Sequence, residues 1–318
     1  MNLLDEQLTA GLKGDFITGQ RLADELAIKT PDDPRAAFNR GWYELRKGNF
    51  RFGHSLLDKG RFINVFGNRH IGSSKPIWNG EEGTVLLRLE GGLGDQIHGF
   101  RFAKEIEDRG NRVVVCCSPE LASLFAEDFT VIQPEAACGV FHDYWLPSMS
   151  AVVSLEHTYE TLSGSSYIPK TANTIPGRVG VRWSGNPQFE HEQYRLFSKD
   201  LMFDAIEDLD IVSLQRDTDD VPEWMEQPLL ETWEDTRKVI SECELIISSC
   251  TSVAHLAAAM GIDTWIVVPI LPYYLWALPG DKSPYYDSVT LYRQKEYKDW
   301  KDPFENIKKD LEMRYKKA

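Results

Sequence analysis

The sequence predicts an α/β protein with two Rossmann-like domains that follow a short helical segment. Three observations lead to this fold class. From residue 84 onward, short apolar runs alternate with amphipathic stretches, a pattern typical of parallel sheets covered by helices. The alternation fades between Pro134 and Gly177 and then resumes, which indicates two sheets. Residues 1–66 lack such runs and repeat a helical pattern instead.

The helical pattern has a period of 34 residues, since Gly-Asp-Phe at 14–16 recurs as Gly-Asn-Phe at 48–50. This period resembles tetratricopeptide repeats, of which arrays need about three units, and only about two are present. Residues 1–66 are therefore expected to pack on the rest of the chain. They either recruit a partner protein or form a helical extension that binds nothing. Residues 67–83, a mixture of Gly, Ser, Pro and Asn, are interpreted as a linker.

The first predicted domain covers residues 84–176. Its apolar runs predict strands at 84–90, 112–118 and 129–134, with helices from about residue 93 to Arg109 and over 119–127. Pro119 suits the first position of the second helix. No regular element is predicted between residues 134 and 177, so the crossover between the domains is placed there.

The second predicted domain covers residues 177–301. Strands are predicted at 178–184, 210–215, 244–249, 264–269 and 288–293, and helices near 199–208, 233–242 and 252–260. Residues 302–318 are predicted to be a charged, amphipathic C-terminal helix.

Composition limits the classes of function. A net charge of −14 argues against a broad electrostatic grip on nucleic acid. The five cysteines are odd in number and contain no C-x-x-C pair, so neither a disulfide framework nor a cysteine metal site is expected. No apolar run reaches the roughly 18 residues of a membrane span. The first residues lack a basic stretch ahead of an apolar one, so a cytoplasmic protein is expected.

A glycine-rich turn follows the first strand, as Gly-Gly-Leu-Gly-Asp at 91–95. Glycines let a backbone approach a ligand closely, and the N–H groups of a helix start favour anions. The spacing is not G-x-G-x-x-G, so a dinucleotide site is not supported. Asp95 lies in the first helical turn. There it is either a charge that stabilises the helix by about 0.3–1 kcal/mol or a general base for an acceptor hydroxyl.

A second strand-to-helix turn carries hydroxyl groups, from Ser248 through Ser249, Thr251 and Ser252, with His255 one turn into the helix. Hydroxyls, open N–H groups and an imidazole together suit a pyrophosphate. The same residues also suit an ordinary capped helix with a histidine that faces the core.

Basic and amide side chains surround two neighbouring strand ends. Arg182, Asn186, His191 and Arg195 lie on or beside the loop after the strand at 178–184, where they can neutralise a leaving diphosphate or be solvated. Ser213 and Gln215 end the next strand, where they either bind a base or ribose or make turn contacts.

From residue 76 to 300 the chain resembles the glycosyltransferases that follow tetratricopeptide repeats in bacteria and phages. These are similar to the heptosyltransferase family (family 9) and, more distantly, to protein O-GlcNAc transferases. The segments that carry the resemblance are PIWNG (76–80), LRLEGGLGDQIHGFRFA (87–103), VGVRWSGNP (179–187), VSLQ (212–215), WEDTRKVISECELIISSCTSVAHLAAAMG (233–261) and SPYYDSVTLYRQ (283–294), followed by Asp299 and Trp300.

The resemblance implies a GT-B fold, in which two Rossmann-like domains face a cleft. It implies a nucleotide-diphosphate sugar in the C-terminal domain, an acceptor on the N-terminal domain, and neither metal nor cofactor. The aspartate of the Gly-Asp motif, Asp95, then resembles the catalytic base. With the strand-end residues described above, the donor-binding residues are expected to be Arg182, Asn186, Arg195, Ser213, Gln215, Ser249, Thr251, Ser252 and His255. The residues expected on the acceptor side are Gly92, Gly94, Gln96 and His98.

Two positions depart from the family pattern. Similar sequences commonly have aspartate where this chain has Cys250, and arginine where it has Leu275. Three functions therefore stay open. They are a glycosyltransferase acting on a glycan or protein, a catalytically inactive binding module with a protein partner, and a phage-type enzyme that glycosylates modified DNA bases.

Overall fold

The computed structural model describes residues 2–63, 65, 73–187, 192–206, 209–216 and 220–315. His191 of the predicted donor loop and residues 67–72 of the predicted linker lie outside the described residues. The described chain forms two sheets, each built from parallel strands with helices between them. The predicted α/β class is therefore confirmed.

The N-terminal segment is helical. Its helices are α1 (Leu3–Leu12), α2 (Phe16–Lys29), α3 (Pro34–Arg46) and α4 (Phe50–Leu57), followed by a 3₁₀ turn at Asp58–Ile63. The Asp33 side chain caps α3 by accepting the Arg35 N–H at 2.9 Å, as expected for an N-cap aspartate. α3 and α4 touch at glycines, because a Cβ atom on Gly41 would lie 2.8 Å from the Gly53 carbonyl oxygen.

The first sheet has the strand order β3-β2-β1-β4, with every neighbouring pair parallel. Its elements are β1 (Thr84–Arg88), α5 (Leu93–Asp108), β2 (Arg112–Cys116), α6 (Ala122–Phe125), β3 (Thr130–Ile132), β4 (Tyr144–Pro147) and α7 (Ser148–Ser154). Val85, Leu86 and Leu87 of β1 are fully buried. Continuous apolar runs of this kind are what a strand covered on both faces requires.

β4 and α7 lie between residues 134 and 177, where the alternation in the sequence fades and no element was assigned. β4 is short and ends in a proline, so it shows no alternation and a weakened strand signal. Next to it, Ile77 forms an isolated parallel bridge with Trp145, and the Trp78 N–H donates to the Trp145 carbonyl at 2.9 Å. Part of the predicted linker is thus joined to the first sheet.

The second sheet has the order β6-β5-β7-β8-β9, again entirely parallel. Its elements are β5 (Arg178–Arg182), α8 (Glu192–Arg195), α9 (Lys199–Ile206), β6 (Asp210–Ser213), α10 (Trp233–Glu242), β7 (Leu245–Ser249), α11 (Ser252–Ala259), β8 (Asp263–Val268), β9 (Val289–Arg293) and α12 (Lys301–Tyr315). Val181, Ile247 and Val267 of this sheet share one buried core with Phe304 and Ile307 of α12.

Contacts divide the chain into two compact units. One comprises Met1–Leu4 and Gln20–Leu162 and holds the first sheet; the other comprises Asp5–Gly19 and Ser163–Ala318 and holds the second. The domain limits drawn from the sequence stay predictions. Because all strands of a sheet run parallel, their carboxyl ends lie along one edge, which is where ligands bind in such folds.

No helix in the described part of the chain is long and apolar enough to span a membrane.

Candidate functional site

The loop between β1 and α5 depends on Gly91, whose φ of 79° is one that glycine adopts readily. A Cβ atom there would lie 2.7 Å from the Cβ atom of Asp95. The half-buried Asp95 carboxylate accepts the N–H of Gly92 at 2.9 Å, which is the aspartate half of a capping box. Loop and carboxylate therefore fix each other's positions at the carboxyl edge of the first sheet.

Gln96 joins this loop to the end of β2. Its Nε2 donates to the Gly91 carbonyl at 3.1 Å and to the Ser118 hydroxyl at 2.8 Å. Its Oε1 accepts the Ser118 N–H at 2.8 Å. The side chain is 3% exposed, so these bonds hold the two strand ends together in buried surroundings.

The other residues predicted on the acceptor side lie close by in the chain. Gly92 is exposed at the helix start, and Gly94 is in the first turn of α5. His98 lies one turn further on, is buried, and packs edge-on against Phe102 with ring centroids 6.2 Å apart. The glycines therefore lie at the loop, whereas the imidazole lies in the packing of α5.

Two thiols lie at the end of β2, Cys116 and Cys117. Burial raises the pKa of Cys117 to about 12 and raises the pKa of Cys116 as well. Both thiols therefore stay protonated at neutral pH, and a thiolate nucleophile at this edge is not supported.

In the second sheet, the turn from β7 into α11 leaves the first amides of the helix without a side-chain cap. Thr251 is the N-cap residue, yet its hydroxyl lies 3.2 Å from the hydroxyl of Ser248 and does not cap the helix. Ser252 begins α11. The Ser249 hydroxyl belongs to a side chain only 1% exposed and finds no hydrogen-bond partner among the described residues. This turn thus presents N–H and O–H groups that can donate hydrogen bonds to an anion.

Arg195, the last residue of α8, contacts the same turn. One guanidinium N–H donates to the Cys250 carbonyl, and others pair with the Glu192 carboxylate. That carboxylate also accepts the Gly185 N–H at 2.9 Å. A Cβ atom on Gly185 would lie 3.0 Å from the Arg195 Cζ atom, so the guanidinium packs closely against this glycine. Asn186, next in the loop, is exposed.

His255 and Cys250 face a buried aromatic group. The His255 ring stacks on Trp276 with centroids 5.4 Å apart, and its Nδ1 lies 3.0 Å from the Tyr286 hydroxyl. The Trp276 indole N–H donates to the Cys250 sulfur at 2.9 Å. Leu275 is also buried. His255 is 4% exposed, so it is at once beside the turn and part of the core.

The ends of β5 and β6 are joined by a second glutamine–serine pair. Gln215 Oε1 accepts the Ser184 N–H at 3.2 Å, and its Nε2 donates to the Ser184 hydroxyl at 2.9 Å. Ser213 Oγ accepts the Gln215 N–H at 3.2 Å. Arg182 is 7% exposed and donates to the Leu214 carbonyl at 2.9 Å. The structure therefore brings these predicted residues together at one edge, held by bonds to one another.

Sequence reasoning missed three groups at these edges: Glu192, Trp276 and the buried pair of Arg61 with Glu90. Glu192 was only one charge in a polar loop, and Trp276 one aromatic residue among many. Only the position of Glu90, directly before the glycine turn, was a signal in the sequence. No group of three or more His, Cys, Asp or Glu side chains in the described chain could hold a metal ion.

Neither a protein-family model nor a curated protein matches the chain. Several solved structures align with it, among them the following three. The dodecameric iron-containing glycosyltransferase TibC of enterotoxigenic E. coli H10407 is 12% identical, with a TM-score of 0.49 over 72% of this chain and 66% of TibC. The dodecameric iron-containing heptosyltransferase TibC in complex with ADP-D-β-D-heptose is 11% identical, with a TM-score of 0.47 over 72% of this chain and 67% of that one. E. coli ADP-heptose LPS heptosyltransferase II is 11% identical, with a TM-score of 0.48 over 74% of this chain and 100% of that one. The chain spans just under two thirds of the first of these proteins.

Proposed function

We propose that this protein is a glycosyltransferase that moves a sugar from a nucleotide-diphosphate sugar to an acceptor hydroxyl, with inversion and without a metal ion. The observation that carries the proposal is the turn from β7 into α11. Its amides have no side-chain cap, and the buried Ser249 hydroxyl finds no partner in the described chain. By contrast, the Thr232 side chain caps α10, a helix of the same compact unit.

On the donor side, the diphosphate lies against the start of α11. The N–H groups of the first turn and the hydroxyls of Thr251 and Ser252 donate to its oxygens, where charge grows as the bond to the sugar breaks. Each donor aimed at such a developing charge contributes about 2–4 kcal/mol. Arg195 supports this by holding the Cys250 carbonyl, so that the turn keeps its amides pointed outward.

On the acceptor side, Asp95 is the general base. It takes the proton of the acceptor hydroxyl, whose oxygen bonds to the anomeric carbon while the bond from that carbon to the diphosphate oxygen breaks. The nucleoside diphosphate leaves with the electron pair. Such a direct displacement inverts the anomeric configuration. His255 stacks beside the donor turn and fixes its aromatic wall through Trp276 and Tyr286.

Asp95→Asn tests the assignment of the base. Asparagine keeps an oxygen that accepts the Gly92 N–H, but it cannot take a proton. We expect donor consumption to fall about 100- to 10,000-fold, the usual contribution of a general base, with donor affinity unchanged. A panel of nucleotide-diphosphate sugars in native mass spectrometry identifies the donor, and release of nucleoside diphosphate measures turnover.

Asp235→Asn is the matched control. Asp235 is the equivalent capping-box aspartate of α10, where its carboxylate accepts the Thr232 N–H at 2.8 Å. This variant should turn over like the parent protein. Loss of donor binding and turnover together in Asp95→Asn would contradict the role of base.

A binding module without turnover is the second candidate, and one observation favours it. The Glu192 carboxylate neutralises Arg195, whose guanidinium donates to the Cys250 carbonyl of the turn. An enzyme without a metal needs positive charge to stabilise its leaving group, whereas a module needs only enough donors to bind a nucleotide. Binding of a nucleotide sugar with no release of nucleoside diphosphate, for any acceptor tried, would favour the module.

A further inference from the structure

A buried ion pair lies directly before the glycine turn of the first sheet. Glu90, 4% exposed, stands between β1 and Gly91. Its two carboxylate oxygens accept from Arg61 Nε at 2.7 Å and Nη2 at 2.9 Å. This two-pronged geometry fixes both side chains, and only arginine supplies it.

The same carboxylate and its backbone reach the next strand. Glu90 Oε2 also accepts the Met149 N–H at 3.2 Å, and the Glu90 N–H donates to the Ser148 hydroxyl at 3.1 Å. Ser148 and Met149 begin α7, directly after β4. Glu90 therefore joins the carboxyl ends of two neighbouring strands to the helical N-terminal segment that carries Arg61.

Arg61 makes further contacts on its own side. Its Nη2 lies 3.5 Å from the Asp58 carboxylate and donates to the Ser150 hydroxyl at 3.3 Å. Ser150 in turn donates to Asp58 at 2.9 Å. Burial raises the pKa of Asp58, because removal from water disfavours the charged carboxylate. A buried carboxylate such as Glu90 that loses its arginine is left uncompensated.

The residues bonded to Glu90 also contact α5. A Cβ atom on Gly99 of that helix would lie 2.7 Å from the Ser148 Cβ atom, so helix and strand end are in tight contact. At the other end, Asp95 is fixed by the turn that begins directly after Glu90. The residues around Asp95 are thus attached to the sheet at Glu90 and Ser148.

We propose that Arg61 and Glu90 are positioning residues, which hold the turn at residues 91–95 in the geometry that presents the Asp95 carboxylate. Part of the support for the glycine turn then comes from the helical N-terminal segment. The structural half of this proposal stands alone, and only its catalytic half rests on the proposed function.

Arg61→Met tests it, with Arg61→Lys as the second variant should the first fail to fold. Lysine keeps the charge but cannot make the paired bonds. We expect faster hydrogen exchange at the amides of Gly92 and Gln96, which bond within the turn. We also expect kcat to fall roughly 100-fold, the effect of a misplaced catalytic group, with the KM for the donor unchanged. Guanidinium ion at millimolar concentration should restore part of the kcat of Arg61→Ala, whereas sodium should not.

Glu105→Gln is the matched control. It removes the charge from another partly buried pair of α5, in which Glu105 accepts from His157 at 2.8 Å, but it lies far along the helix from the turn. Its exchange at Gly92 and Gln96 and its kcat should match the parent protein. Unchanged exchange at these amides in both Arg61→Met and Arg61→Lys would overturn the proposal, even if the protein consumes no sugar nucleotide. Faster exchange with an unchanged kcat in an active enzyme would overturn its catalytic half.

Discussion

Cys250 makes two different contacts, one through its backbone and one through its side chain. The carbonyl accepts from Arg195, and the sulfur accepts the Trp276 indole N–H at 2.9 Å. The Cys250 side chain thus supplies an acceptor without a charge. Arg195 holds the turn through the backbone of Cys250, so this contact does not depend on the Cys250 side chain.

Cys250→Ala should remove the acceptor of the Trp276 N–H and leave that donor unpaired in buried surroundings. We expect a loss of about 1–3 kcal/mol in the free energy of unfolding, measured by urea denaturation. Cys250→Ser keeps an acceptor and should lose less.

Cys243→Ala is the control for this prediction, since Cys243 is a buried thiol at the opposite end of β7 that donates to the Val239 carbonyl. It loses the same atom without removing an acceptor from an indole. Equal losses in Cys243→Ala and Cys250→Ala would show that cavity size, and not the hydrogen bond, sets the cost.

At the scale of single residues, the sequence indicates candidate site residues but not their contacts. Asp95 and Thr251 could be selected because each follows a strand and opens a helix, a local pattern. The contact of Arg195 with Cys250 could not be predicted, because it is made to a backbone carbonyl 55 residues away. The pair of Gln96 with Ser118 is likewise set by which strands are neighbours, and not by spacing along the chain.

Among the elements, α12 is attached to the second sheet at the start of β7 and β8. Arg314 donates to Glu244 at 3.1 Å and also pairs with Asp263. Glu244 accepts the Gly177 N–H at 2.7 Å as well. The Gly177 N–H and then the Arg314 guanidinium hold the pKa of Glu244 below its ordinary value. The carboxylate is therefore worth more to the folded state when it is ionised.

Glu244→Gln should consequently destabilise the protein at neutral pH and much less in acid. A carboxyl whose pKa is lowered by folding contributes its full stability above the pKa of the unfolded chain, about 4.3. That contribution is lost as pH falls from there through the lower pKa of the folded state. Urea denaturation of both proteins at a series of pH values measures the gap between them.

The control is Glu242→Gln, two residues earlier, whose carboxylate makes neither of these two bonds among the described residues. Its difference from the parent protein should stay small across the pH series. A gap for Glu244→Gln that is constant from pH 7 to pH 3 would mean that its carboxylate charge contributes nothing.

Element prediction succeeded where a strand is long and buried and failed where it is short. β7 has five residues, all buried, and β8 has six, of which five are buried, and both strands were predicted. β4, with four residues and a terminal proline, was not. What forms β4 is pairing with β1 and the bridge to Ile77, which are tertiary contacts that no local pattern reports.

In the whole molecule, one N-terminal segment belongs to a different compact unit from the residues that follow it in the chain. Residues Asp5–Gly19 belong to the compact unit of the second sheet, although the first sheet follows them in the chain. Gly14 carries the contact, since a Cβ atom there would lie 3.1 Å from the Ile270 Cδ1 atom. The 34-residue repeat places Gly48 in the matching position, where a Cβ atom would meet nothing within 4 Å.

This difference makes the two glycines a matched pair for a test of how the N-terminal turn supports the second sheet. Both have positive φ, 72° at Gly14 and 92° at Gly48, so valine at either costs about 1–2 kcal/mol of backbone strain. Gly14→Val must also push against Ile270, whose N–H bonds to the Gln294 side chain at 3.1 Å. We expect faster hydrogen exchange at the Ile270 and Gln294 amides in Gly14→Val, with little change there in Gly48→Val. Equal exchange at these amides in the two variants would mean that residues Asp5–Gly19 lie against the second sheet without stabilising it.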